Sequence, residues 1–411
     1  MQLKDKTFLV YGAGKSGISA YDFLISHGAM VYIYSDDNVS LDKSFNQIYD
    51  FKEVLKIKFD YAVLSPGVQI VDNDNINKLK NNNVLLICEL ELGYLFCKGK
   101  FIAVTGTNGK TSCVSLLGHI LESKFDTFVC GNIGTPITSI CDQTTENSVV
   151  ICEVSSFMLE LVSANFAPDI SVILNVSSDH ISRHKTFEEY KKAKLNITKY
   201  QSFDDYLFVD YENESILTNA MKNVVFNEIK FKSKLIGDFN NHNINFCYRI
   251  CKVLGICDKQ FKKLLKSFEP LQFRLQKFTV KKGVIFINDS KSTNPDSTIK
   301  ALSAMKKPVI VLLGGSDKGN SFEQIFENSK KIKFAIFYGS TANKLKDDAN
   351  FKGFNNFVVC QNLEHAIKES LKRARKKDIV LFSPACASFD EFKNYIERGK
   401  FFNNYIKESK F

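Results

Sequence analysis

The sequence predicts an α/β protein built as three consecutive α/β domains, and three observations carry that expectation. Two apolar runs, near 7–11 and 101–104, each end in a glycine turn that opens onto a helical stretch. Further runs are apolar nearly throughout, as strands of a parallel sheet covered on both faces must be. A chain of 411 residues is also too long for one ordinary core, so two or three domains are the natural expectation.

Thr7–Tyr11 leads into Gly12-Ala13-Gly14-Lys15-Ser16-Gly17 and a helical stretch reaching about His27. A second run, Met30–Tyr34, ends at Ser35-Asp36-Asp37, and a third, Tyr61–Leu64, breaks at the Ser65-Pro66-Gly67 turn. Strand, glycine turn, helix, strand is the βαβ unit of a Rossmann-like sheet, expected over 1–98. The second domain, 99–270, pairs a strand at 101–104 with a helix at 112–123 and adds strands at 149–154 and 170–176. That is the pattern of a P-loop ATPase-like parallel sheet. The third, 271–411, is again Rossmann-like, with strands at Val284–Asn288, 308–313, 334–338 and 378–382, and a hinge is expected near Glu269-Pro270.

Composition narrows the class. Charged residues make up 24% and hydrophobic residues 44%, which fits a soluble globular protein. No apolar run approaches the roughly 18 residues that span a bilayer, so no membrane insertion is expected. Met1 to Lys6 is polar, and the run that follows is too short for a signal-peptide core. The net charge of +10 suits anionic ligands, but the lysines are scattered and form no arginine-rich or aromatic-interleaved patch, so no nucleic acid is expected. Eleven cysteines show no CxxC pair, and Cys152 and Cys247 sit in apolar runs as small core residues, which suits a reducing cytoplasm.

The strongest single motif is Thr105-Gly106-Thr107-Asn108-Gly109-Lys110-Thr111-Ser112. A strand running into glycines and then a helix surrounds a phosphate with backbone N–H groups and a helix N-terminus. Lys110 would neutralise the β- and γ-phosphates, and the Thr111 hydroxyl would bind Mg²⁺, although the loop is shorter than GxxxxGK[ST]. Gly12 to Gly17 with Asp36 or Asp37 about twenty residues on could hold a dinucleotide or another diphosphate. Lys15 adds positive charge inside that turn.

Glu153 closes a strand before Ser155-Ser156-Phe157, and the next strand delivers Ser177-Ser178-Asp179-His180-Ile181-Ser182-Arg183-His184. Mg²⁺ prefers oxygen ligands, so Glu153 with Thr111 suits one ion, and His180 is a candidate for a second. His180 and His184, four apart, also fit a zinc pair, but no glutamate follows His180 as in HExxH. Either histidine could instead be a hydrogen-bonded structural residue. A binding-only protein would keep the loop and lose the metal ligands, yet Thr111, Glu153 and His180 are all present.

Together these residues resemble the Mur ligases, the ATP-dependent amino-acid-adding enzymes of peptidoglycan synthesis. The shared motifs continue, in family order, through Asn175 to His180, Gly237-Asp238-Phe239-Asn240-Asn241-His242-Asn243, Arg274 and Asn288-Asp289-Ser290-Lys291-Ser292-Thr293-Asn294. Leu313-Gly314-Gly315 followed by Lys318, and Ser383-Pro384-Ala385-Cys386-Ala387-Ser388-Phe389-Asp390, match the D-glutamate-adding branch. Departures are Phe273 for the usual histidine, Gln276 for a common glutamate, Lys15 for a leucine-like residue, and Ser35 before the two aspartates.

The resemblance implies a monomeric cytoplasmic ligase adding D-glutamate to UDP-N-acetylmuramoyl-L-alanine through an acyl phosphate made from ATP. Another amino-acid substrate within the family is the alternative. It assigns the first domain to the UDP substrate, the second to ATP and the third to the amino acid. Lys110, His180 and Lys194 are the implied catalytic residues, with Lys194 carbamylated and joining Thr111, Glu153 and His180 around two Mg²⁺ ions. ATP is implied to lie on Gly106, Thr107, Asn108, Gly109, Lys110, Thr111 and Ser112, with Asn240, Asn243, Arg274 and Asp289. The UDP substrate is implied to meet Gly14, Lys15, Ser16, Asp36, Ser65, Pro66, Gly67, Asn132, Ser155 and His180. D-Glutamate is implied to meet Lys291, Thr293, Lys318, Ser388 and Tyr395.

Overall fold

The computed structural model of the chain describes residues 1–37, 39–177, 181–317, 319–327, 329–409 and 411, with backbone only at 181 and 182. Two residues singled out above, His180 and Lys318, therefore lie outside the described residues.

Three sheets follow one another along the chain. The first joins β1 (Thr7–Tyr11), β2 (Met30–Tyr34), β3 (Gln47–Ile48), β4 (Tyr61–Leu64) and β5 (Leu85–Cys88) in the order β3-β2-β1-β4-β5, all parallel. The order reverses at β1, so the turns after β1, β2 and β4 share one edge, where such sheets take their ligands.

The second sheet contains β6 (Lys100–Thr105), β7 (Asp126–Gly131), β8 (Ser148–Glu153), β9 (Ile170–Ile173), β10 (Tyr206–Asp210) and β11 (Met221–Val225), in the order β11-β10-β9-β6-β8-β7. Its middle strands are apolar because they are covered on both faces; β8 is buried at every position. The strand expected over 170–176 ends at Ile173, because Asn175 turns away to bond the loop after β6. The helix expected from 112 begins at Lys110 and runs to Leu121.

The third sheet contains β12 (Gln276–Lys281), β13 (Val284–Asn288), β14 (Val309–Gly314), β15 (Ile332–Tyr338), β16 (Phe357–Val359) and β17 (Ile379–Ala385), in the order β12-β13-β17-β14-β15-β16. Only the edge strand β12 is antiparallel to its neighbour. The expected α/β class and the three sheets are borne out. No helix among the described residues is long and apolar enough to cross a membrane.

The chain forms two compact units. One is 1–229 with 243–265 and holds the first two sheets; the other is 230–242 with 266–411 and holds the third. The division passes through the helix Asp238–Val253, so Asn240 goes with the second unit and Asn243 with the first. Within the first unit, the helix Glu89–Phe96 is pinned to the second sheet by buried carboxylates. Glu89 accepts hydrogen bonds from the Thr138 backbone N–H and hydroxyl, both at 2.9 Å. Glu91 accepts from the Ser163 N–H at 2.8 Å and Asn165 Nδ2 at 3.2 Å, and Tyr94 donates to the Ala167 carbonyl at 2.6 Å.

Burial pushes the Glu89 carboxyl up to about 7, with the Thr138 bonds offsetting part of that rise. A raised carboxyl pKa means the unfolded chain loses this proton first. Folding stability should therefore fall as pH rises from about 4.5 to 7 and level off above. Glu89→Gln, which keeps an acceptor for Thr138 without the charge, should be the more stable protein at pH 8, by roughly 2–3 kcal/mol at most. The gain should vanish at pH 4.5 in chemical denaturation; a gain equal at both pH values would contradict a buried charge at Glu89.

Candidate active site

At the edge of the first sheet, the turns after β1, β2 and β4 line a cleft of about 710 Å³. Gly14, Lys15, Ser16, Asp36, Ser65, Pro66, Gly67 and Asn132 all border it, whereas Ser155 does not. The glycine turn is tight: a Cβ at Gly17 would stand 1.8 Å from the Gly12 carbonyl oxygen, and Gly12 itself has φ +107°. Ser65 Oγ donates to that same carbonyl at 3.0 Å and braces one turn on the other. The helix Lys15–Ser26 begins at Gly14 with no side-chain cap, so its first N–H groups remain available to an anion.

Asp36 is gripped from three sides. Tyr11 donates to Oδ2 at 2.6 Å, Tyr34 to Oδ1 at 3.0 Å, and Asn75 Nδ2 to Oδ1 at 3.3 Å. Burial and the bond to Asp36 push the Tyr11 phenol up to about 12, so it stays a donor across the physiological range. The motif located Asp36 in the sequence, but nothing there announced its partners, which come from two strands and a helix.

At the end of β6, Gly106 has φ +153° and Gly109 φ +91°, and a Cβ at Gly109 would meet the Asn243 side chain at 2.7 Å. Asn175 braces the loop, accepting from Asn108 N at 2.9 Å and donating to Asn108 O at 2.8 Å. Thr107 Oγ1 shares a bond with the Tyr190 hydroxyl and donates to the Ser177 carbonyl, both at 3.0 Å. Two ammonium groups converge on one oxygen: Lys110 Nζ lies 2.7 Å and Lys194 Nζ 3.1 Å from the Gly106 carbonyl. Lys194 is 1% exposed and stacks over the Tyr190 ring.

Glu153 ends β8 in register with Val104 of β6 and Gly131 of β7. Its Oε1 accepts from Asn132 Nδ2 at 3.0 Å, while the buried Oε2 has no hydrogen-bond partner among the described residues. An orphaned carboxylate oxygen in the interior is costly unless something else satisfies it, and a divalent cation does so. No group of three or more His, Cys, Asp or Glu side chains forms a ready-made cage among the described residues. An oxygen donor of this kind suits a hard divalent cation that takes few protein ligands and completes its shell with water and phosphate. His184 is buried, with Nε2 paired to Ser156 Oγ at 2.9 Å and Nδ1 3.6 Å from Glu160 Oε1.

In the second unit, the loop after β13 carries Asp289, Ser290 and Lys291, β17 carries Ser383 against Asp289, and the loop after β17 carries Ser388. Asp289 is enclosed, its Oδ1 accepting from Leu275 N at 2.9 Å and its Oδ2 from Ser292 and Ser383 hydroxyls at 2.5 and 2.8 Å. Burial pushes its carboxyl up to about 6 despite these bonds. Its local work is to brace the turn that carries Arg274, which is flanked by left-handed Phe273 (φ 62°) and Leu275 (φ 45°). Phe273, in place of the family's histidine, packs its ring against Gly399. Lys291 Nζ sits 4.1 Å over the Tyr395 ring. Thr293 is partly buried, Ser388 is buried, and Asn240 donates Nδ2 to the Ile236 carbonyl at 2.7 Å.

Sequence reasoning missed Arg398. Its buried guanidinium donates to Ser290 Oγ and to the Ser290, Cys386 and Ala387 carbonyls at 2.8–3.1 Å, tying the loop of Lys291 to that of Ser388. An arginine between apolar positions of the last helix was its only signal.

The family model described as Mur ligase middle domain matches residues 104–231, and that described as Mur ligase, glutamate ligase domain matches 273–386. The chain is 34% identical to the UDP-N-acetylmuramoylalanine--D-glutamate ligase of Clostridioides difficile over 100% of both chains. It is 35% identical to the ligase of the same name from Lachnoclostridium phytofermentans, over 99% of each. Among solved structures, UDP-N-acetylmuramate-alanine ligase from Thermotoga maritima is similar with a TM-score of 0.61 at 16% identity, covering 98% of this chain and 100% of that one. A MurF ligase from Thermotoga maritima in complex with ADP is similar with a TM-score of 0.61 at 17% identity, covering 99% and 96%. At such identities the structures attest the fold alone. The full-length sequence identity goes further, and with it the chain belongs to the Mur ligases, a family of ATP-dependent amide-bond-forming enzymes.

Proposed function

We propose that this chain joins D-glutamate to UDP-N-acetylmuramoyl-L-alanine, using ATP, in cytoplasmic peptidoglycan precursor synthesis. The observation that carries the reading is Asn132: it borders the nucleotide cleft and holds Glu153, whose strand neighbours the one ending in the phosphate loop. A sugar nucleotide in that cleft can direct its far carboxylate toward the phosphate loop. The names of the full-length relatives narrow the acceptor and the amino acid. Eleven unpaired cysteines suit a reducing compartment. On this reading residues 1–98 hold the UDP substrate, 99–270 hold ATP, and 271–411 hold the amino acid.

A carboxylate is a poor electrophile, because its charge is delocalised and oxide is an impossible leaving group. Transfer of the ATP γ-phosphoryl to the muramoyl-alanine carboxylate makes an acyl phosphate and ADP. The D-glutamate amine then attacks the acyl carbon, and the tetrahedral intermediate expels phosphate as the amine loses its proton. Lys110, drawn off its own loop by the greater charge of a triphosphate, balances the two anions that must approach. Glu153 and Thr111 would hold Mg²⁺, which supplies further charge neutralisation at the phosphates.

Lys194, buried beside the phosphate loop, would add CO₂ through its amine to become a carbamate. Such a carbamate, with His180, would serve a second Mg²⁺. Arg274, Asn240 and Asn243, with Asp289 bracing the turn of Arg274, complete the ATP side of the proposal, and Lys291, Thr293, Lys318, Ser388 and Tyr395 the D-glutamate side. The family's reaction needs both ends of the chain, so a closure about Glu269-Pro270 accompanies it.

Three measurements test this. Phosphate release from Mg-ATP with UDP-N-acetylmuramoyl-L-alanine should be supported by D-glutamate and not by L-glutamate, L-lysine or L-alanine. Faster release with any of the other three would move the chain to a different branch. Glu153→Ala should raise the Mg²⁺ concentration for half-maximal rate by about 10–100-fold; an unchanged Mg²⁺ dependence removes Glu153 from the metal site. In ¹³C-bicarbonate, the active protein should show a carbamate carbon by NMR that Lys194→Ala lacks, and an active protein without that signal refutes carbamylation.

A further inference from the structure

Arg183 joins two parts of the first unit that the reaction must keep in register. Its guanidinium forms a fork with Glu160, Nε to Oε1 at 3.0 Å and Nη2 to Oε2 at 2.7 Å, and it stacks 4.2 Å over the Phe157 ring. Phe157 and Glu160 lie in the stretch that follows Glu153. From that anchor the same guanidinium donates to the Val68 carbonyl at 2.8 Å and the Gly67 carbonyl at 3.3 Å, both on the wall of the nucleotide cleft. The Arg183 and Glu160 side chains are only 13% and 14% exposed, so water competes weakly for these bonds.

Arg183 also belongs to the chain segment that braces the phosphate loop, following Asn175 and Ser177, which bond Asn108 and Thr107. The cleft turn also has bonds of its own: Ser65 N to Tyr11 O at 2.9 Å, Ser65 Oγ to Gly12 O at 3.0 Å, and Val68 N to Ser65 O at 3.0 Å. Other ties between the two sheets lie at Ser19, His27, Glu89, Glu91, Tyr94 and Lys98, and Lys185 pairs with Asp72 a few positions beyond Val68; the bonds to the Gly67 and Val68 carbonyls come from Arg183.

We infer that Arg183 is a positioning residue: it sets the cleft wall against the phosphate-loop side, so that acceptor carboxylate and γ-phosphate meet at reacting distance. This rests on the ligase reading above. Each ligand is bound by groups other than Arg183, so its loss should spare binding and harm the chemical step, for which displacement by about 1 Å can cost a hundredfold.

The test compares the unaltered protein with Arg183→Met and Arg183→Lys. Calorimetric affinities for UDP and for a non-hydrolysable Mg-ATP analogue should stay within about twofold, while kcat for phosphate release falls roughly 10–100-fold in Arg183→Met. Arg183→Lys should recover part of it, since an ammonium reaches a carbonyl but cannot form the fork. Should Arg183→Met fail to fold, Glu160→Gln, which leaves the two carbonyl bonds and weakens the anchor, should show the same split to a smaller degree. An unchanged kcat in the folded variants overturns the inference. So does a parallel loss of UDP affinity, ATP affinity and thermal stability, the mark of a merely structural tie. Failure of the unaltered protein to bind UDP would instead overturn the ligase reading itself, before any variant is made.

Discussion

Two ammonium groups meeting at the Gly106 carbonyl set the terms for everything around them. Lys110 and Lys194 reach that oxygen from different helices, at 2.7 and 3.1 Å, and like charges so close repel. The arrangement is held by the loop: left-handed glycines at 106 and 109, the Asn175 brace, and Tyr190 packed under Lys194. A site that concentrates positive charge before its ligand arrives is organised for an anion.

Sheet topology puts that charge where it can act. In parallel strands every C-terminal end lies on one edge, so β6, β8 and β9 deliver the phosphate loop, Glu153 and Asn175 side by side. The first sheet presents its three turns in the same manner, and the third its loops after β13 and β17. Connecting parts are then fixed by buried polar groups: Glu89 and Glu91 between the first two sheets, Arg398 between the loops of the third. Each is hydrogen-bonded, as a buried polar group must be.

Carboxylates in this molecule divide by what remains open on them. Asp289 has both oxygens occupied by its own unit and acts as a brace. Asp36 is gripped by Tyr11, Tyr34 and Asn75 yet stays exposed on the cleft, an oriented acceptor. Glu153 keeps a buried oxygen unmatched, the condition in which a carboxylate calls for a cation. Residue type alone does not separate these roles.

The sequence by itself determined the class and the placement of the chemistry-bearing motifs. Strands buried on both faces are apolar throughout, so Thr7–Tyr11, Met30–Tyr34, Tyr61–Leu64 and Val284–Asn288 were legible to the residue. The glycines after β1 and β6 were legible because only glycine meets such backbone and contact constraints. Edge strands such as Gln47–Ile48, Met221–Val225 and Gln276–Lys281 were not, since partial exposure leaves their patterns polar and irregular. Tertiary structure alone decided that two tyrosines hold Asp36, that Arg183 spans to Gly67 and Val68, and that Glu153 is left one bond short. Those facts depend on partners from 2 to 116 positions away, and local pattern carries no record of how distant segments pack.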